Sequence, residues 1–121
     1  MKTKKTSFQS KEIRVGTVDD ATKMLVDIAQ NPKKMDSVPK EGVIYVKPDD
    51  LPKLLSKERL RIMHELRNNS FSITRLAEHL QRKRESVSRD ISFLANHGLI
   101  QVEKKGRETY PITANELRII F

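Results

Sequence analysis

The sequence predicts an α+β fold, and more narrowly a winged helix-turn-helix with a small N-terminal strand-helix appendage. Three observations predict it. Between Ser56 and Gly98, apolar residues recur at helical spacing in three successive segments. Beyond Gly98 the period becomes strand-like, with Leu99, Ile100 and Val102 in one run and Thr109, Tyr110 and Ile112 in the next. Lys105 and Gly106 lie between those runs, where a glycine's tolerance of positive φ permits a tight hairpin.

Taken in order, residues 1–10 hold three lysines, two threonines, two serines and one aromatic, and read as a flexible basic tail with too little apolar surface to order itself. Ile13, Val15 and Gly16 around Arg14 suggest a short strand. Asp19 or Asp20 is then expected to cap a helix beginning near Ala21, with Ala21, Met24, Leu25 and Ile28 on one apolar face and an end before Pro32. Residues 32–42 read as a linker or exposed loop, and Val43–Val46 as a strand stopped by Pro48. Leu51, Leu54 and Leu55 follow in a helix of one or two turns starting around Pro48.

Ser56 is a good N-cap for the first long helix, whose stripe is Leu60, Ile62, Met63 and Leu66. Ser72 caps the second, with Ile73, Leu76, Ala77 and Leu80 inward. After the polar turn Gln81–Lys83, Val87, Ile91 and Leu94 recur at intervals of four and three, and Gly98 stops the third helix at its C′ position. The organisation read from this is a tail over 1–10, a strand-helix-strand-helix segment over 11–55 for dimerisation or partner binding, and a DNA-binding domain over 56–121.

The segment SITRLAEHLQRKRESVSRDISFLANHGLI, residues 72–100, resembles the MarR-like winged-helix regulators. With Ile13 to Gln30, Val43 to Val46 and Leu51 to Leu55 in front of it, the chain more closely resembles a family of archaeal and bacterial predicted DNA-binding proteins of about this length. Some members of that group look like antitoxins encoded beside TumE-type toxins, so the resemblance implies an autoregulatory antitoxin role. The departure is Gln81, where a small residue, often glycine, is common; a residue with a Cβ is penalised there if φ must be positive.

The third helix is the expected reader of a duplex major groove. With Val87, Ile91 and Leu94 inward, a helix turning about 100° per residue presents Glu85, Arg89 and Ser92 outward, flanked by Arg82, Ser86 and Ser88. An arginine fork can bond both guanine acceptors, so Arg89 is the first expected base contact, then Arg84 and Ser86. Arg82, Lys83 and Arg84 form a cationic run where phosphates would pass, and the helix N-terminus near Ser72 and Thr74 offers backbone N–H groups to a phosphate. Lys104, Lys105 and Arg107 at the hairpin tip are placed to meet the adjoining groove or backbone. Asp90 is expected to pair within the domain instead.

Charge agrees with this. Lys and Arg number 24 against 16 Asp and Glu, a net +8 over 121 residues, which attracts polyanions. Aromatics are 5%, which argues against base stacking on single strands, so RNA binding and nonspecific DNA architecture stand behind duplex regulation. The four glycines, at 16, 42, 98 and 106, write neither a P-loop nor a dinucleotide fingerprint, and no nucleophile elbow is present. His64, His79 and His97 lack metal-ligand spacing, and there is no cysteine. No catalytic residue, cofactor or metal is expected, nor a membrane span or signal peptide, and the expected location is the cytoplasm.

Leu117, Ile119 and Phe121 alternate as in a strand and are expected to pair with the strand near Ile13, within the chain or across a homodimer. A homodimer is favoured, since two recognition helices about 34 Å apart match a near-palindromic site. The functional expectation is a sequence-specific double-stranded DNA-binding regulator, a dimeric repressor. The alternative is an antitoxin that neutralises a cognate toxin by protein contact and autoregulates its operon.

Overall fold

The computed structural model describes residues 10–37 and 43–121. Strand β1 (Ser10–Val15) leads into helix α1 (Val18–Gln30), a 3-10 helix over Pro32–Ser37 and strand β2 (Val43–Val46). Helices α2 (Leu51–Leu54), α3 (Lys57–Asn68), α4 (Ile73–Leu80) and α5 (Arg84–Asn96) follow, then strands β3 (Ile100–Lys105), β4 (Glu108–Thr113) and β5 (Glu116–Ile120). The tail expected over residues 1–10 lies outside the described residues except for Ser10, which opens β1. The last part of the expected linker, residues 38–42, lies outside them too.

Helix α1 starts earlier than its sequence suggests. Thr17, not Asp19 or Asp20, is the N-cap. Its hydroxyl accepts from the Asp20 N–H at 3.3 Å, and the Asp20 carboxylate accepts from the Thr17 N–H at 2.8 Å, a reciprocal capping box. The bond from the Thr17 N–H, and a second from its hydroxyl at 3.1 Å, hold the Asp20 carboxyl below its ordinary pKa. A lowered folded-state pKa contributes stability above the unfolded value that is lost as pH falls through the folded one. Wild-type thermal stability is therefore expected to drop between pH 5 and below about 4 by more than that of Asp20→Asn, measured as unfolding midpoints across that range. Where an open linker was expected, Pro32–Ser37 forms a 3-10 helix, clipped to α1 by Lys34 and Asp27 at 2.7 Å.

Strands β2, β1 and β5 form a parallel sheet in that order. Parallel neighbours need a long crossover, and α1 supplies it between β1 and β2. The terminal strands thus pair within one chain. Register places Ile13 between Ile44 and Ile119, so this face of the sheet is apolar. Ile13 is fully buried in the same cluster as Val46, Leu54 and the inward residues of α3, α4 and α5. Residues 11–55 and 56–121 therefore share one core. On the opposite face Arg14 pairs with Glu12 at 2.6 Å, and Met24 Sδ of α1 accepts from Arg14 at 3.4 Å and from the Tyr45 hydroxyl at 3.2 Å.

The expected apolar stripe of α1 lies outside the core, none of its residues being buried, and Leu60 of α3 is not core either. Leu25 is 62% exposed, because α1 turns Ala21, Met24 and Ile28 toward the sheet and leaves Leu25 beyond that arc. Leu60 is 45% exposed, since Ile62, Met63 and Leu66 already occupy the buried side of α3. Strands β3 and β4 form an antiparallel hairpin with Lys105 across from Glu108. Gly106 has φ of +64°, as a two-residue turn with glycine first requires. Three packed helices and this hairpin constitute a winged helix-turn-helix.

Candidate nucleic-acid interface

The turn between α4 and α5 sets where α5 points. At the end of α4, Gln81 adopts left-handed φ 56°, ψ 45°. The N–H of Arg82 donates to Ala77 O at 3.0 Å and that of Gln81 to Glu78 O at 3.2 Å, the paired bonds of a Schellman motif. Helix α5 ends the same way at Gly98, φ +78°, with Leu99 N–H donating to Leu94 O at 2.9 Å. One motif uses glycine and the other carries a Cβ in a disfavoured region, where strain is of the order of 1 kcal/mol. Gln81→Gly is accordingly expected to raise stability by about 1 kcal/mol without moving α5, read from the urea midpoint at constant slope.

Helix α5 buries Val87, Ile91 and Leu94 completely or nearly so. Arg84, Glu85, Arg89 and Ser92 are exposed on the remaining surface, with Ser86 and Ser88 half-buried at its margins. Lys83 is the exposed N-cap residue of the helix. Arg84 Nε donates to Thr74 Oγ1 at 3.1 Å, so these two expected contact residues are neighbours and steady each other.

Two of the expected contacts are occupied inside the domain. Ser72 is buried, and its hydroxyl accepts from the Arg75 N–H at 3.2 Å, the expected N-cap bond, which takes up one of the backbone donors expected to meet a phosphate. Arg82 turns away from Lys83 and Arg84, its terminal nitrogen 2.9 Å from Asp90 Oδ2 and its Nε 3.5 Å from Glu58. A cation beside a half-buried carboxylate satisfies that carboxylate first, which removes Arg82 from the expected phosphate-binding run. Asp90 also lies 3.3 Å from Arg59 Nε, and the Arg59 guanidinium sits 3.9 Å from the Phe93 ring centroid. Arg59 further donates to the Lys53 carbonyl. This cluster binds α3, the turn and α5 together, and Asp90 pairs inside the domain as its sequence context suggests.

Sequence reasoning places Glu58 in the first turn of its helix but misses its pairing with Arg82, and it misses Arg59 altogether, since no local pattern signals partners so distant in the chain. It also missed Arg75, exposed in the first turn of α4 beside Thr74, where its position after the Ser72 cap was a usable signal. On the hairpin, Lys104, Lys105 and Arg107 are all exposed, with Lys105 Nζ 5.3 Å from the Tyr110 ring centroid. The remaining cations and hydroxyls therefore lie on α5, the start of α4 and the wing. Among the described residues no group of His, Asp and Glu could hold a metal ion, and no helix is long and apolar enough to cross a membrane.

No protein of curated function matches the sequence. Among solved structures, the chain is similar to the transcriptional regulator HlyU of Vibrio vulnificus CMCP6 at 25% identity, over 74% of this chain and 81% of that one, with a TM-score of 0.48. It is similar to the transcriptional regulator BldR of Sulfolobus solfataricus at 16% identity, over 83% and 70%, TM-score 0.48. A homodimeric winged helix-turn-helix DNA-binding domain from Mycobacterium bovis matches at 22% identity, over 51% and 58%, TM-score 0.48. The family model HVO_A0114 matches residues 54–116, just over half of the sequence and all of α3, α4, α5 and the wing, and the chain belongs to the HVO_A0114 family.

Proposed function

We propose that this protein is a sequence-specific double-stranded DNA-binding transcriptional regulator that acts as a dimeric repressor. The observation that carries the reading is the two-sided character of α5. Val87, Ile91 and Leu94 anchor it in the core while Arg84, Arg89 and Ser92 stand exposed on the rest of its surface. A helix of that kind fits the major groove, where guanine offers paired acceptors to an arginine fork. Lys83, Thr74, Ser86 and Ser88 flank the reading face as phosphate or base contacts, and Lys104, Lys105 and Arg107 reach beyond it. Repression would be steric, a bound dimer covering promoter DNA.

Selection of binding sites from random duplexes, followed by titration of the selected and scrambled duplexes at two salt concentrations, tests the proposal. Equal affinity for both would leave a nonspecific architectural role. In the same titrations Lys105→Ala is expected to weaken both duplexes alike and to reduce the slope of log K against log salt by about 0.9, as loss of one phosphate contact does.

The antitoxin reading draws on a different surface. Helix α1 exposes Val18, Leu25 and Val26, with Met35 exposed just beyond it, an apolar set that a protein partner could cover. Co-purification with the product of the adjacent gene tests that reading independently of DNA.

A further inference from the structure

Strand β5 is an edge of the parallel sheet, and among the described residues it pairs with β1 alone. Edge strands of monomers are commonly blunted by charge, proline or a bulge, and β5 carries one charge of each sign, Glu116 and Arg118. Here Ile119 is 38% exposed and Ile120 44%, so the strand offers both unpaired backbone groups and apolar surface. Its charges alternate about Leu117, Glu116 on one side and Arg118 on the other, with side chains 64% and 68% exposed and 3.6 Å apart.

That pattern is self-complementary. A two-fold axis perpendicular to the sheet sets β5 antiparallel to β5 of a second copy, and opposed residues must then share a face, so the axis passes through a residue. Through Arg118 it would oppose two guanidinium groups. Through Leu117 it sets Glu116 across from the partner's Arg118 and Arg118 across from the partner's Glu116, two cross-strand ion pairs on one face with Leu117 against Leu117 on the other.

We infer that β5 is the homodimer interface, two copies joining their sheets antiparallel about a two-fold axis at Leu117. This deepens the reading of the chain as a paired regulator by naming the surface that pairs it. The second copy is the occupant because the strand supplies both halves of its own charge pairs.

The full chain has no cysteine, so single introduced thiols report the register directly. Opposed residues in an antiparallel pair have Cα atoms about 4.5–5.5 Å apart, within disulfide reach, whereas the two copies of Ile119 would lie about 13 Å apart along the strands. Under mild oxidation Leu117→Cys is expected to give a covalent dimer and Ile119→Cys to remain monomeric on a non-reducing gel. Glu116→Arg, which stands across from uncharged Ser10 on β1, opposes cations at both pairs and is expected to raise the dissociation constant about tenfold or more by sedimentation, with circular dichroism unchanged. Mixed with Arg118→Glu it should recover pairing, since each opposed position then joins opposite charges. Monomeric wild-type chain at high concentration, crosslinking at Ile119→Cys in place of Leu117→Cys, or unaltered dimerisation of Glu116→Arg would each overturn the inference. All readouts are made without DNA, so a chain that dimerises here yet ignores duplex DNA separates failure of the regulator reading from failure of this one.

Discussion

Asp90→Ala is expected to destabilise the protein by about 2 kcal/mol and to weaken DNA binding although Asp90 is paired inside the domain. The carboxylate is 16% exposed and sits between Arg82 at 2.9 Å and Arg59 at 3.3 Å, each with a side chain 21% exposed. Its removal leaves two guanidinium groups facing one another across α3, the turn and α5. Full burial would cost about 3–5 kcal/mol, and the residual exposure of all three groups lowers that. The measurement is the urea midpoint, with titration of the selected duplex alongside. A variant as stable as wild type would show that packing of Val87, Ile91 and Leu94 holds α5 without the ion cluster. Asp90→Asn keeps the shape and removes the charge, so comparison of the two separates hydrogen bonding from electrostatics.

Arg89→Ala is expected to act on discrimination and not on stability. Arg89 is exposed on α5 opposite the buried stripe, so its truncation costs the fold within about 0.5 kcal/mol. A bidentate arginine-guanine contact is worth about 1–3 kcal/mol of preference over the wrong base. The ratio of affinities for selected over scrambled duplex should therefore fall by about 5- to 150-fold, with affinity for the scrambled duplex nearly constant. Competition titrations at one salt concentration give both numbers. Unchanged discrimination would move base reading away from α5 and toward the wing.

Much of this arrangement is legible one residue at a time. Val87, Ile91 and Leu94 recur with the period of a helix, and a helix has only one way to bury them, so Arg89 must face outward. Ser56 and Ser72 cap the helices that follow them, and Gly98 and Gly106 take the positive φ expected at a helix stop and a hairpin tip. Gln81 is instructive because local preference disfavours its conformation. The Schellman hydrogen bonds and the packing of α4 against α5 outweigh about 1 kcal/mol of strain, so the turn forms without glycine.

The cation run is where local reading stops. Arg82, Lys83 and Arg84 are adjacent and chemically alike, yet Arg82 turns inward to Asp90 and Glu58 while Lys83 stays exposed and Arg84 reaches Thr74. The choice depends on a carboxylate on α5 and another on α3, whose positions exist only after the helices pack. Leu25 and Leu60 follow the same logic, since periodicity assigns a face but not whether another element covers its margin.

Local patterns specify the parts: the winged helix-turn-helix, the serine caps of α3 and α4, the cationic excess and the helix that carries Arg89. Those follow from short-range periodicity and backbone preference, which act between residues a few positions apart. The packed fold was needed to set β1 between β2 and β5, to bring Ile13 into the core of the helices, and to turn Arg82 inward to Asp90 and Glu58. Each of these depends on groups brought together from distant parts of the chain, and burial, hydrogen bonding and charge pairing there are set by geometry that no local pattern encodes.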